Sequence, residues 1–190
     1  MTNITMIYQS TGRIPTRIGN RYESTYPYDA FPAKDGYVTI AAGNNKLFKI
    51  LCDVMGRPEL TEDPLYREVK DRAVNHATLR EIICGWVSGH TVAEVDEILN
   101  SAGCPASAVN TIDMLVKDPQ IAGARGMFPV IDQPGIGELQ ITAAAQKLTR
   151  TKSFPRKAPP LLGEDNEKIY SEFLGLSAEQ IAQLREKGAV

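Results

Sequence analysis

Ala33-Lys-Asp-Gly-Tyr-Val-Thr-Ile-Ala-Ala-Gly-Asn-Asn-Lys-Leu-Phe-Lys-Ile-Leu-Cys-Asp-Val-Met-Gly-Arg-Pro-Glu-Leu60 reads as a turn, a strand, a tight connection and a capped helix. Asp35-Gly36 is a turn pair, because glycine tolerates positive φ and aspartate bonds its own backbone. Tyr37 to Ala41 has the β-branched and aromatic composition of a partly buried strand. Gly43-Asn44-Asn45 breaks that strand and offers side-chain oxygens to cap a helix. From Lys46, the residues Leu47, Phe48, Leu51, Val54 and Met55 recur at helical spacing. Gly56 is placed for a left-handed residue after the helix, and Pro58 prevents its resumption.

Outward from this run, residues 1–34 are punctuated by Gly12, Pro15, Gly19, Pro27 and Pro32 and keep no period. They read as an extended connection with at most a short helical start. On the other side, Leu60 to Asp71 is a polar loop, after which Asn75 is a candidate cap for a helix burying Leu79, Ile82, Ile83, Trp86 and Val87. Thr91-Val-Ala-Glu94 is a capping box for a further helix that ends at Gly103. Cys104 to Val109 reads as a strand, Thr111 to Lys117 as a short helix, and Asp118-Pro119 as a helix start. Met127 to Asp132 and Glu138 to Thr142 flank Gln133-Pro-Gly-Ile-Gly137 as a hairpin. Residues 143–160 carry Lys147, Arg150, Lys152, Arg156 and Lys157 with no acidic residue and three prolines, a linker composition. Two short helices come next, the second opened by Ser177 with Gln180 three residues on, and Glu164 or Asp165 is the expected cap of the first. The fold class is therefore α+β, with a compact module over 33–142 between an arm at 1–32 and a basic, proline-rich return segment at 143–190.

The chain has 190 residues, 43% of them hydrophobic and 23% charged, ordinary for a globular protein. Twenty-one Lys and Arg against 23 Asp and Glu give a net charge of −2, which argues against a nucleic-acid or membrane-surface partner. Cys52, Cys84 and Cys104 are odd in number and irregularly spaced, as expected of reduced thiols in the cytoplasm. The only histidines, His76 and His90, form no cluster with cysteine at ligand spacing, so no metal is expected. Both read as solvated residues near helix ends. The first residues lack the basic and apolar regions of a signal peptide, and no stretch approaches the roughly 20 apolar residues of a membrane span.

Residues 33–60, Arg17-Ile-Gly-Asn20 and Pro159-Pro-Leu-Leu-Gly-Glu164 together resemble the class III CoA-transferases, the family of formyl-CoA transferase and the carnitine and bile-acid CoA-transferases. The resemblance runs through nearly the whole chain in order. It implies a small α+β domain with linker arms, coenzyme A as thioester substrate and product, and a carboxylic acid as acceptor. It also implies an interlocked homodimer in the complete enzyme and no metal. The family carries its acyl group on an aspartate in a large N-terminal domain, which this chain is expected to lack. No catalytic residue is therefore assigned here, and the chain's aspartates read as caps, turns and polar helix faces.

The resemblance places Arg17, Gly19, Asn20, Tyr26, Tyr28 and Asn44 at the substrate side of the cleft. In formyl-CoA transferase the segment after Arg17-Ile-Gly-Asn20 is a glycine-rich flap, whereas Arg21-Tyr-Glu-Ser-Thr-Tyr-Pro-Tyr28 has no glycine run. Tyr26 and Tyr28 either line an acyl pocket or pin a linker to the domain surface. Related α-methylacyl-CoA racemases carry a glutamate near Asn44, and an amide does not exchange an α-proton. Asn44 thus favours a transferase over a racemase. Asp165 stands where the family usually has histidine, and Ala108 of Cys104-Pro-Ala-Ser-Ala-Val-Asn110 where it usually has proline. A rival of another class is a non-catalytic partner or dimerisation subunit of a split enzyme, which would expose apolar surface on its arms.

Overall fold

The structure is a computed structural model describing residues 2–155 and 157–190, and it forms the expected central strand with the bounds Tyr37–Ala41 (β2). Val38 and Ile40 are at most 1% exposed, while Tyr37 and Thr39 face outward, the alternation of a half-buried strand. β2 lies between β1, Tyr28–Pro32, and β3, Ala106–Ala108, in an antiparallel sheet. The register sets Phe31 against Val38 and Val38 against Ala108. β1 falls inside the segment read as an extended connection. Pro27 and Pro32 disguise it, yet a proline is tolerated at the end of an edge strand, where no ladder hydrogen bond is lost. A second departure is α1, Thr2–Thr11, longer than the short start expected; the hydroxyls of Ser10 and Thr11 donate to the carbonyls of Met6 and Ile7.

After β2, Asn44 caps α2, Asn45–Val54, by accepting the Leu47 N–H at 2.8 Å. Gly43 is required for close approach: a Cβ there would lie 2.1 Å from the Thr25 methyl. α2 buries Phe48, Leu51 and Cys52 and ends at Gly56, whose φ is +70°. A 3-10 turn, Pro58–Thr61, tucks Leu60 inside. α3, Val69–Val74, runs straight into α4, His76–Val87, which places Leu79, Ile83 and Val87 on one buried stripe. Asn75 stands at the α4 N-cap position as expected, and also ends α3, but its side chain makes no cap hydrogen bond among the described residues; its Nδ2 donates to the carbonyls of Leu65 and Asp71. α5, Val92–Ser101, has the predicted Thr91/Glu94 capping box and buries Val95 and Leu99. Asp35 anchors its start, accepting the Val92 N–H at 2.7 Å.

Two compact units divide the chain, residues 1–109 and 110–190. The first holds an apolar cluster that includes Tyr26, Phe31, Ile40, Phe48 and Leu79. The second contains α6, Ile112–Leu115, and a π-helical turn, Pro119–Ala124, capped by the Asp118 carboxylate. It continues with the hairpin of β4, Val130–Gln133, and β5, Gly137–Gln140. α7, Asn166–Glu172, and α8, Ala178–Glu186, complete it, α8 with the predicted Ser177/Gln180 capping box. Asp165 stands at the α7 N-cap position as expected, but its side chain makes no cap hydrogen bond among the described residues and pairs with Lys157 of the basic linker, while Glu164 accepts the Leu161 N–H. Arg156 of that linker lies outside the described residues.

Among the described residues of the first unit, Arg72 is the one charged side chain that is buried, at 0% exposure. Its Nε donates to the Tyr26 carbonyl, Nη1 to those of Tyr66 and Arg67, and Nη2 to the Gly43 carbonyl and the Asn45 Oδ1, all at 2.8–3.1 Å. The guanidinium lies 4.4 Å over the Phe48 ring. Replacing Arg72 with alanine strands several buried carbonyls, and unfolding free energy is expected to fall by about 3–5 kcal/mol. Arg72→Lys recovers only part of this, since an ammonium cannot reproduce the planar fork. Urea denaturation of the 190-residue chain measures both, and an unchanged midpoint for Arg72→Ala would remove Arg72 as a structural hub.

Candidate functional site

Of the six residues singled out in the sequence, Gly19, Asn20 and Tyr28 line surface depressions, Tyr26 is buried, and Arg17 and Asn44 are exposed outside those depressions. Arg17 is exposed and makes no ion pair among the described residues. Gly19, with φ of +75°, turns the loop so that Asn20 borders two adjoining depressions. Tyr28 is 51% exposed on the first of these and packs 5.8 Å from Tyr22. Tyr26 is instead a core residue, 1% exposed, with its ring against Phe31 and His76. Burial raises its phenol well above the ordinary tyrosine value, so it stays protonated. It pins the loop to the domain and does not present a surface to an acyl group. Asn44 commits its Oδ1 to the α2 cap.

The first depression, of about 440 Å³, lies over the sheet between Asn20, Tyr28, Thr39 and Val109. The second, of about 380 Å³, lies between Gly19, Asn20 and Arg21 of the loop, Asp29 of β1, and His76 and Arg80 of α4. Asn20, Asp29 and Ala30 belong to both. Asp29 Oδ2 receives a hydrogen bond from Arg80 Nη1 at 2.5 Å, and Arg80 Nη2 donates to the Ala30 carbonyl at 3.0 Å. The other Asp29 oxygen accepts the Ala30 N–H at 2.8 Å. Only 8% of the Asp29 side chain is exposed, so this pair is partly desolvated and worth more than a surface ion pair.

Arg21, His76 and Arg80 were not assigned from the sequence. Arg80 meets Asp29 across 51 positions, and no local spacing announces such a pair. His76, read as a solvated residue near a helix start, is half-buried against Tyr26. Burial, and after it the Arg21 guanidinium, holds its imidazole below the ordinary value against the opposing pull of Asp29. His90 is engaged elsewhere, its Nδ1 2.9 Å from the Trp86 carbonyl oxygen. Burial pushes the Cys52 thiol up to about 12 and the Cys104 thiol up to about 11, so neither supplies a thiolate near neutrality. Among the described residues, no group of three or more His, Cys, Asp or Glu could hold a metal ion, and no helix is long and apolar enough to cross a membrane.

The mixed helix-and-sheet fold with this cleft is that of part of a CaiB/BaiF-type protein. A CaiB/BaiF family protein from Brucella suis superposes with a TM-score of 0.72 at 28% identity, over 90% of this chain and 43% of that one. The model of CoA-transferase family III matches residues 1–166, and the chain belongs to that family. Succinyl-CoA–D-citramalate CoA-transferase of Chloroflexus aurantiacus is 29% identical over 96% of this chain and 46% of its own length. The same organism's succinyl-CoA–L-malate CoA-transferase is matched in both subunits. Its beta subunit is 34% identical over 94% of this chain and 44% of the subunit, and its alpha subunit 30% identical over 98% and 44%. The chain thus spans less than half the length of the curated relatives it matches.

The His76 environment gives a direct expectation. In the window between the lowered folded value and the ordinary histidine value of about 6.5, the unfolded chain binds more protons than the folded one. The contribution of the neutral imidazole is therefore fully present above that window and is lost as the pH falls through it. Nuclear magnetic resonance titration of the His76 ring is expected to show a midpoint below the ordinary histidine value of about 6.5, raised by Arg21→Ala and lowered further by Asp29→Asn. A His76 midpoint above the ordinary value contradicts this electrostatic assignment.

Proposed function

We propose that this chain is the C-terminal portion of a class III CoA-transferase, which moves CoA from an acyl-CoA to a carboxylic acid. The match to CoA-transferase family III over residues 1–166 is the observation that carries the reading. In the proposed reaction a carboxylate of the large domain attacks the thioester carbonyl and expels CoA thiolate, leaving an acyl-aspartyl anhydride. The thiolate then attacks the aspartyl carbonyl, giving an aspartyl-CoA thioester and the free donor acid. The acceptor carboxylate repeats the sequence in reverse, and the aspartate is regenerated.

This chain's share of the reaction is to shape the acyl side of the cleft. Gly19 and Asn20 form its rim, Tyr28 lies over the sheet, and Arg17 stands at the loop's outer end. The reading assigns no nucleophile here, which fits Asp29, the carboxylate in the cleft, being committed to Arg80 and the Ala30 amide. Asn44, an amide with its oxygen committed to the α2 cap, supports transfer over racemisation. The malate relative's name divides it into subunits, which supports an assembly of more than one chain. Both subunits match this chain almost end to end, so each contains this region, and the subunit boundary there does not separate it from the remainder. A homodimer of complete chains is the corresponding proposal for this protein.

The test is CoA exchange between succinyl-CoA and malate, with chromatography of the thioesters as the readout. The 190-residue chain is expected to be inactive alone and active once combined with a polypeptide supplying the large domain. Transfer by the chain alone would overturn the assignment of the nucleophile elsewhere.

A further inference from the structure

The depression between the Gly19–Arg21 loop, β1 and the start of α4 holds a charge the local structure does not neutralise. Arg21 is half-buried there and forms no ion pair among the described residues. Arg80 is matched by Asp29 at 2.5 Å and held over the Phe31 ring at 5.1 Å. Two guanidinium groups against one carboxylate leave the cleft with one net positive charge while His76 is neutral. His76 is also the first residue of α4, a helix of 12 residues whose N-cap Asn75 makes no side-chain cap hydrogen bond among the described residues. Behind His76, the buried Tyr26 hydroxyl has no hydrogen-bond partner among the described residues.

We propose that this cleft is a carboxylate subsite, which holds the free carboxylate of a dicarboxylic acyl group whose other carboxylate is the one transferred. The inference rests on the transferase reading above. The relatives' names pair succinyl-CoA with D-citramalate and L-malate, each acid bearing two carboxylates, of which one stays charged when the other becomes a thioester. A half-buried guanidinium without a partner is the group such a charge requires. The volume of about 380 Å³ accommodates a four-carbon acid. A phosphate of CoA is the other anion this reaction brings. The 3′-phosphate of CoA carries roughly −1.5 to −2 charges at neutral pH, more than the single positive charge available.

Two experiments separate this proposal from the reaction it rests on. In the 190-residue chain, succinate is expected to move the His76 ring resonance saturably while the His90 resonance stays fixed. Neutral succinamide is expected to do nothing, Arg21→Gln to abolish the succinate response, and Arg21→Lys to retain part of it. A response to adenosine 3′,5′-bisphosphate but not to succinate, equal responses to succinate and succinamide, or an Arg21→Gln chain that responds like the parent would each overturn the subsite. In the assembled transferase, Arg21→Gln is expected to lower kcat/KM for succinyl-CoA roughly tenfold to a hundredfold, the worth of a charged hydrogen bond, and to spare butyryl-CoA. Equal losses on both donors would make Arg21 structural and also overturn it. An assembled wild-type protein that transfers nothing counts against the reaction alone, because the resonance experiment still decides the cleft.

Discussion

The Arg72 guanidinium ties together the stretches of chain that lead into β1, α2 and α3. A buried cation with no carboxylate beside it is costly unless every donor finds an acceptor. Here the acceptors come from three stretches of chain: the Tyr26 carbonyl before β1, the Gly43 carbonyl and Asn45 side chain between β2 and α2, and the Tyr66 and Arg67 carbonyls before α3. None of these carbonyls lies in a regular ladder, so those of Tyr26, Gly43 and Tyr66, on buried residues, would otherwise be buried polar groups without a partner. The requirement runs both ways, and the segments are fixed together or not at all. Phe48, packed beneath the guanidinium, ties the same point to the apolar core.

From that point the two walls of the cleft differ in stiffness. One wall is β1 and α4, joined by the desolvated Asp29–Arg80 pair and backed by the core residues Phe31 and Leu79. The other is the loop carrying Gly19, Asn20 and Arg21. It is held by the Arg13–Glu23 ion pair, 51% and 25% exposed, and by a hydrogen bond from Asn3 to the Tyr22 hydroxyl. Exposed pairs of this kind contribute little. The Tyr22 amide does bond the Tyr28 carbonyl, and Gly43 lets the loop's base at Thr25 press onto the β2–α2 turn. The loop is thus anchored at its base and loosely held at its tip, where it lacks the glycine run of a flap. The paired charges thus lie on the wall backed by the core, and the unpaired Arg21 on the loop.

What the sequence disclosed depended on how local its physics is. Asn44 as a cap, the Thr91/Glu94 and Ser177/Gln180 boxes, Asp118 on its π-helical turn and Gly56 beyond α2 are all decided within a few residues, and each was legible. Tyr37–Ala41 was legible because its alternation is strict. β1 was not, because two prolines and Asp29 broke the pattern, and only pairing with β2 makes it a strand. Asn75 and Asp165 hold the cap positions that their residue types announced, but not the cap hydrogen bonds, because their side chains are turned to partners from elsewhere: carbonyls of Leu65 and Asp71 for one, Lys157 for the other. The residues that build the cleft's electrostatics, Arg21, Asp29, His76 and Arg80, are brought together from three segments, and nothing in any one segment marks them. Arg72 was invisible for the same reason, since its partners are up to 46 positions away.

The two units also differ in how far each satisfies itself. In the second, only Gln133 and Ile181 are buried among the described residues. Leu162, Phe173 and Leu174 are 106%, 77% and 62% exposed, and β5 is exposed throughout. A capping box and a hairpin satisfy backbone groups locally, but they do not offset the conformational entropy of ordering 81 residues. That requires apolar burial, at roughly 25 cal/mol per Å², and the unit's own residues supply little of it. A segment with local signals intact and its apolar side chains uncovered is shaped to lie on another surface.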